Sequence, residues 1–236
     1  MRRAGEAPEG TRELVFDVTD ADAVGAAAAA VDRLDALVNN AGIAIAAPLE
    51  FLPPDELARQ LDVNVIGHVR VLQAVLPALR RSRGRVVFVG SIGGRSALPF
   101  LGAYAASKFA LEAITDSLRV ELAPFGIQVS IVEPGTIATP MWTKRQRSVD
   151  EMPPQVAELY GERIARFRKL ATERSAGRGV PPEEVAKAIE HALTADKPKT
   201  RYVVGRDAKM RGTVQKLPDR VRDRVLTRFL FGRETR

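Results

Sequence analysis

The chain has 236 residues, of which 45% are hydrophobic, and this length is sufficient to bury one sizeable core. It contains no cysteine, which excludes disulfide frameworks, thiol nucleophiles and cysteine-bound metals and fits a cytoplasmic location. The net charge of +7 arises from a basic excess late in the chain, and no apolar run is long enough to cross a membrane. We therefore predict one domain over residues 1–236 with a basic segment at 206–236, and we do not expect nucleic acid as a partner.

Short apolar runs and helical patterns alternate along the chain. Strands are predicted at 13–18, 36–40, 84–89, 126–132 and 201–205. Helices are predicted at 54–79, at 103–122 and from residue 181 onward. Because helices separate the apolar strands, the pattern predicts an α/β fold with a doubly wound, Rossmann-like parallel sheet.

Two later segments each leave two interpretations open. Residues 143–179 mix apolar side chains with many charges, so they form either a lid over an apolar substrate or an ordinary surface helix. The last helical pattern places apolar residues among arginines, so it either packs on its own domain or makes a peripheral contact with an anionic membrane. Its apolar residues are Val221, Val225, Leu226, Phe229 and Leu230.

Tyr104 and Lys108 are four residues apart in a predicted helix, so their side chains lie on one face and can reach one ligand. A tyrosine with a pKa of about 10 is a poor base at neutral pH unless a positive charge stabilises the phenolate. An ammonium about 4 Å away contributes on the order of 4 kcal/mol at an effective dielectric of roughly 20, or about three pKa units. The pair therefore predicts that Tyr104 acts as a general acid or base.

Several motifs occur in a fixed order around this pair. They are Asn39-Asn-Ala-Gly42, Asn64, Ser91, Tyr104-Ala-Ala-Ser-Lys108 and Pro134-Gly135 followed by Thr139. In order and spacing they resemble the signature of the short-chain dehydrogenase/reductase family, whose members are nicotinamide-dependent oxidoreductases. The segment Arg201-Tyr-Val-Val-Gly-Arg206 further resembles the branch that contains 17β-hydroxysteroid and retinol dehydrogenases.

The resemblance implies a role for each residue of the motifs. Ser91 would hydrogen-bond the substrate oxygen, Tyr104 would exchange its proton, Lys108 would bind the nicotinamide ribose, and Asn64 would hold a relay water. The substrate would be a small apolar alcohol or carbonyl compound, and the cofactor NADP or NAD. The implied cofactor-binding residues are Asp17, Val18, Asn40, Ala41, Gly42, Tyr104, Lys108, Pro134, Gly135, Ile137 and Thr139.

Family members also open with a strand, a glycine-rich turn and a helix that hold the pyrophosphate ahead of the residue matched by Asp17. Here sixteen residues precede Asp17, and neither Gly5 nor Gly10 follows a predicted strand. We therefore expect an N-terminally truncated sheet that lacks the first two strands of the family. Either the native product is longer, or the Leu14 strand pairs with the Leu37 strand, or another subunit covers the gap.

The same resemblance leads to three further expectations. Arg2 and Arg3 fall where a 2′-phosphate would bind, which favours NADP over NAD. By resemblance, the chain would form a dimer or tetramer through the helices at 54–79 and 103–122. The alternative function is a catalytically silent binding or scaffold protein, since the pyrophosphate would have no glycine-rich turn.

The remaining motifs receive structural interpretations. Gly90-Ser-Ile-Gly-Gly94 has neither the glycine spacing of a phosphate loop nor the glycine two residues before serine that a hydrolase elbow requires. His68 and His191 are far apart and lack metal-ligand spacing. We interpret both histidines as structural and expect no metal.

Overall fold

The computed structural model describes residues 8–138 and 153–232. Within these ranges the strands form a four-stranded parallel sheet in the order β1-β2-β3-β4. The strands are β1 (Ala36–Asn39), β2 (Arg85–Val89), β3 (Gln128–Pro134) and β4 (Arg201–Val204). The predicted α/β class and the parallel sheet are confirmed, and the four strands lie within two residues of the predicted positions.

Helices cover both faces of the sheet. They are α1 (Ala21–Ala29), α2 (Pro54–Leu61), α3 (Gly67–Ser82), α4 (Gly102–Leu122), α5 (Pro154–Arg178), α6 (Pro182–Thr194), α7 (Arg206–Val214) and α8 (Asp219–Phe231). Alternate residues of a strand point to opposite faces, so Val86 and Phe88 pack against α3 and α4. Val87, between them, packs against α6 on the other face. The sheet is therefore doubly wound, as predicted.

The helix predicted at 54–79 is interrupted once. A π-helical turn at Asp62–Ile66 separates α2 from α3, which continues through Pro77 to Ser82. The turn carries Asn64, whose side chain is fully buried. The interruption therefore lies at the residue for which the motif predicted a catalytic role.

The strand predicted at 13–18 is wrong, because these residues form neither strand nor helix in the structure. Leu14 and Val15 have 39% and 67% of their surface exposed, and β1 pairs only with β2 among the described residues. A β-branched run becomes a strand only where a neighbouring strand takes up its hydrogen bonds. The segment instead ends in a turn in which the Asp17 carboxylate accepts hydrogen bonds from the backbone and side chain of Thr19, which lowers the pKa of Asp17.

The last helices close one end of the molecule. Phe167 of α5 and Leu230 of α8 are buried against Leu101, together with Phe100 and Phe231. Phe100 has a φ of 65° and makes edge contacts with Tyr160, Phe167 and Phe231. No helix in the described part of the chain is long and apolar enough to cross a membrane.

Candidate active site

The floor of the site is built where β2 ends. A short 3-10 turn at Ile92–Gly94 follows Ser91, whose hydroxyl accepts a hydrogen bond from the Gly93 backbone at 3.0 Å. A Cβ at Gly93 would lie 3.2 Å from Ser91 Oγ and 3.3 Å from Tyr104 Cε1. The glycine therefore lets the turn fit closely between these side chains, and it fixes the Ser91 hydroxyl.

Tyr104 lies in the first turn of α4 and is 9% exposed. Burial raises the pKa of Tyr104, while a hydrogen bond from Ser91 and the positive charge of Arg211 lower it by smaller amounts. The structure thus differs from the sequence-based expectation, in which Lys108 was to lower this pKa. The hydroxyl holds its proton at neutral pH, as a general acid must.

Lys108 lies one turn further along α4 and is 6% exposed. Its Nζ donates a hydrogen bond to the Val89 carbonyl at 2.9 Å and lies 5.7 Å from the centre of the Tyr104 ring. Burial lowers the pKa of Lys108 to about 8. The ammonium therefore faces the end of β2 and the tyrosine ring.

Asn64 connects the π-helical turn to the catalytic helix. Its amide group donates to the Ile43 carbonyl at 2.9 Å and to Ser107 Oγ at 3.0 Å, and its oxygen accepts from the Ile43 backbone at 2.9 Å. Ser107 in turn donates to the Tyr104 carbonyl at 2.7 Å. Both amide hydrogens of Asn64 are occupied, so a relay water would bind at the remaining acceptor site of Asn64.

Two buried carboxylates, Glu112 and Glu133, form a charge cluster with the partly exposed Arg95 and Arg201. Glu133 of β3 is fully buried and contacts Arg95 and Arg201 at 3.4 Å each. Glu112, one turn after Lys108, accepts from Arg201 at 3.0 Å. Burial, followed by the charge of Glu133, raises the pKa of Glu112 to about 7. The cluster joins α4, β3 and β4.

A cavity of about 90 Å³ opens above Ser91 and Tyr104. Seven apolar side chains line it, together with Arg174, Asp207 and Arg211. The apolar residues are Leu98, Leu101, Ala105, Phe167, Leu170, Ala171 and Leu230. Helix α5 contributes four of the lining residues. Residues 143–152 lie outside the described residues, and the lid interpretation of 143–179 stays a prediction.

Three charged residues of the cavity were missed by sequence reasoning. Arg174, Asp207 and Arg211 come from α5 and α7, in segments where charged residues are frequent and no motif marks any of them. The Asp207 carboxylate accepts from the Thr136 backbone at 2.7 Å. A Cβ at Gly135 would lie 2.1 Å from that carboxylate, so Gly135 makes room for Asp207.

The predicted cofactor residues are distributed more widely. Gly135 lines the cavity with Tyr104, whereas Pro134 is buried at the end of β3 and the Ile137 carbonyl accepts from Ser175. Val18 packs against Gly67, where a Cβ would lie 2.8 Å from Val18 Cγ2. Thr139, like Arg2 and Arg3, lies outside the described residues.

The loop directly after β1 is exposed at Asn40, Ala41 and Gly42, at the same edge of the sheet as Ser91.

Both histidines form hydrogen bonds within the protein. His68 Nε2 donates to the Ala41 carbonyl at 2.6 Å, and His191 Nδ1 contacts Tyr202 Oη at 2.9 Å. Both side chains therefore have structural partners, as interpreted from the sequence.

The residues present fit the nicotinamide half of a dinucleotide. Ser91, Tyr104 and Lys108 offer hydroxyl and ammonium donors at the carboxyl end of the sheet, beside the exposed backbone of 40–42. For the pyrophosphate, residues 8–16 form neither a strand nor a helix that could present a glycine-rich turn. The donor set therefore matches one half of such a cofactor within the described residues.

Comparison with known proteins agrees with this geometry. The family model described as short chain dehydrogenase matches residues 4–150. Human retinol dehydrogenase 16 is 39% identical over 221 residues, which cover 87% of this chain and 69% of the relative. Human 17-beta-hydroxysteroid dehydrogenase type 1 is 42% identical over 204 residues, which cover 85% of this chain and 62% of the relative. The chain spans about two thirds of the length of these relatives.

Solved structures share the fold. A short-chain dehydrogenase from Streptomyces avermitilis superposes with a TM-score of 0.73 at 33% identity, covering 91% of this chain and 77% of the other. A short chain dehydrogenase from Burkholderia cenocepacia in complex with NADP gives a TM-score of 0.70 at 25% identity, covering 93% and 80%. The chain therefore belongs to the short-chain dehydrogenase/reductase family of nicotinamide-dependent oxidoreductases, in the branch of the retinol and 17-beta-hydroxysteroid dehydrogenases.

Proposed function

We propose that this protein interconverts a secondary alcohol and a carbonyl group on an apolar substrate, with NADP(H) or NAD(H) as the hydride carrier. The main support is that Ser91 and Tyr104 lie on either side of Gly93 and together line one wall of a mostly apolar cavity. A buried acid and a hydroxyl donor that converge on one point suit proton transfer to a bound oxygen. A catalytically silent binding protein is disfavoured, because such a protein has no need of this donor pair.

In the direction of reduction, Tyr104 gives its hydroxyl proton to the carbonyl oxygen while a C–H bond forms at the carbonyl carbon. Ser91 donates a hydrogen bond to the same oxygen and stabilises its negative charge as the C=O bond becomes a single bond. The phenolate that remains on Tyr104 is stabilised by the positive charge of Arg211. In oxidation the same groups act in reverse, with Tyr104 as the base.

The nicotinamide, when bound, supplies or accepts the hydride. Lys108 and the backbone of 40–42 would hold its ribose, and Gly135 would lie against its ring. We also propose that Asn64 keeps α4 in register with residue 43 through Ser107, so that Tyr104 stays aimed at the cavity. NADP is favoured over NAD by the arginines at positions 2 and 3.

The test begins with thermal unfolding of the full chain with NADP(H) and with NAD(H), since a ligand at about 100 times its Kd adds roughly 2.7 kcal/mol of stability. Single-turnover hydride transfer to an apolar ketone is then compared between the wild type, Tyr104→Phe and Tyr160→Phe. Tyr160 bonds Glu50 at 2.7 Å and does not line the cavity, so it is the matched control.

We expect Tyr104→Phe to lower the rate by about 10²- to 10⁴-fold, with an unchanged unfolding temperature, and Tyr160→Phe to retain the wild-type rate. A folded Tyr104→Phe protein that transfers hydride at the wild-type rate would refute the assignment. No binding of either cofactor would mean that the described residues do not suffice for this function.

We further propose that two copies pair through α4 and the π-helical turn that packs against it. Exposed apolar side chains lie along this surface: Ile66 is 51% exposed, Phe109 43% and Val120 75%. Sedimentation should show a dimer that Phe109→Glu dissociates. Leu159→Glu, which changes an exposed leucine on α5, should leave the dimer intact, and a monomeric wild type would contradict the proposal.

A further inference from the structure

The substrate cavity contains two arginines that the proton-transfer chemistry does not require as a pair. Arg211 comes from α7 and Arg174 from α5, and both line the cavity beside its apolar wall. Arginine is among the residue types least often buried without a partner. Their presence in a mostly apolar cavity indicates a ligand of matching charge.

Arg211 is only partly satisfied by the protein. One terminal nitrogen donates to the Ser96 carbonyl, and its buried Nε has no hydrogen-bond partner among the described residues. Burial lowers the pKa of Arg211 to about 10, although the negative charge of Asp207 acts in the opposite direction. A buried donor without a partner is costly, so an acceptor supplied by a ligand would be stabilising.

The acidic side of the cavity does not balance these charges. Asp207 is the one carboxylate among the described lining residues, and one of its oxygens already accepts from the Thr136 backbone. Arg174 forms no ion pair within the described residues, and its guanidinium stacks 4.4 Å above the Phe229 ring. Among the described residues, the lining of the cavity therefore carries an excess positive charge at the side formed by α5 and α7.

We propose that Arg174 and Arg211 form an anion subsite, and that the substrate is an apolar alcohol or carbonyl compound bearing a carboxylate close to the reacting carbon. This inference rests on the proposed function and names its substrate class. The apolar walls would take the hydrocarbon part, while the planar guanidinium groups offer paired donors that match a carboxylate. Because Arg174, Arg211 and Tyr104 line the same cavity of about 90 Å³, a carboxylate bound by the arginines would lie close to the reacting oxygen.

The experiment compares 4-oxodecanoate with its methyl ester, which keeps the ketone and the chain but removes the charge. Binding to the full chain is measured by calorimetry with and without NADP, and hydride transfer is measured as kcat/KM for both probes. The variants are Arg211→Met and Arg174→Met. Lys209→Met and Lys169→Met are the controls, since each removes one positive charge from the same helix outside the cavity.

We expect the wild type to bind the acid at least about ten times more tightly than the ester, as charge-assisted hydrogen bonds would provide. Each arginine variant should lose most of this preference, and the controls should keep it. Because Arg211→Met removes the bond to Ser96 and could unfold the turn, Arg174→Met gives an independent reading. Arg211→Lys should restore part of the preference.

Equal affinity of the wild type for acid and ester would overturn the subsite, and so would an unchanged preference in both arginine variants. Hydride transfer to both probes at equal kcat/KM would overturn the subsite and leave the proposed function standing. Acid-selective binding without any hydride transfer would support the subsite and contradict the proposed function. The two proposals therefore fail by different observations.

Discussion

Gly94 lies directly against the backbone of Lys108: a Cβ at Gly94 would be 2.7 Å from the Lys108 carbonyl oxygen and 3.2 Å from Glu112 Cγ. Since the turn at 92–94 holds Ser91, this close approach sets the distance between Ser91 and α4. We expect Gly94→Ala to lower the free energy of unfolding by about 1 to 3 kcal/mol and to slow hydride transfer.

Gly161→Ala is the control for that substitution, because Gly161 lies in α5 and a methyl group there would have no neighbouring atom within 4 Å. Alanine in a helix interior is favoured over glycine by up to about 1 kcal/mol, so this variant should be neutral or stabilised. Chemical denaturation of both variants checks the prediction. Equal stability of Gly94→Ala and the wild type would show that the turn can move away from α4 at no cost.

The raised pKa of Glu112 makes stability depend on pH. Its pKa is about 7 in the folded protein against 4.5 in the unfolded chain, so the folded state binds this proton more tightly. The associated stability is complete below pH 4.5 and is lost as the pH rises to about 7. In Glu112→Gln, the free energy of unfolding should fall by about 1 to 3 kcal/mol less than in the wild type between pH 4.5 and 7.

The measurement is the free energy of unfolding from pH 4 to 8 for the wild type, Glu112→Gln and Glu121→Gln. Glu121 is an exposed carboxylate on the same helix, so its substitution should leave the pH dependence nearly unchanged. A wild-type curve parallel to that of Glu112→Gln would contradict the assignment of the titrating group.

The lowered pKa of His68 has the opposite effect on the pH dependence of stability. Burial, and to a smaller extent the charge of Lys108, lowers the pKa of His68 from 6.5 to about 4. Its neutral ring therefore contributes stability that is complete above pH 6.5 and is lost as the pH falls toward 4. His68→Gln, which keeps a donor for the Ala41 carbonyl, should flatten this part of the curve by about 2 to 3 kcal/mol. Nuclear magnetic resonance titration of the ring checks the pKa directly, and an ordinary value would refute the prediction.

The exposed face of α8 combines apolar side chains with arginines. Leu230 is buried against α5, while Val221 and Val225 are each 42% exposed and adjoin exposed Arg224 and Arg228. Contact with an anionic membrane therefore stays a prediction beside the observed packing. The full chain should co-sediment with phosphatidylserine vesicles at low salt, and Val225→Asp should weaken this. Leu159→Asp is the control, and binding that is insensitive to salt would argue against the contact.

The motif residues could be predicted because their residue types occur at fixed spacings along the chain, which the sequence shows directly. Ser91, Tyr104 and Lys108 lie together at the end of β2 as expected, since parallel strands bring their carboxyl ends to one edge. The strand at 13–18 was wrong because pairing depends on a neighbour that local pattern does not specify. The source of the charge acting on Tyr104 could not be found either, because Arg211 is far from Tyr104 in sequence and is positioned by α7.

The π-helical turn at Asp62–Ile66 also determines how α2 is rotated relative to α3. One extra residue in a helix turns everything before it by about 100°. Gln60 on α2 binds the backbone of Ile43 and Ile45, while Asn64 binds Ile43 from within the turn. Deleting one residue between 62 and 66 would restore an unbroken helix and swing Gln60 out of reach of that loop. The extra residue of the π-helical turn therefore sets the rotation at which the side-chain amides of Gln60 and Asn64 both reach the loop at residues 43–45.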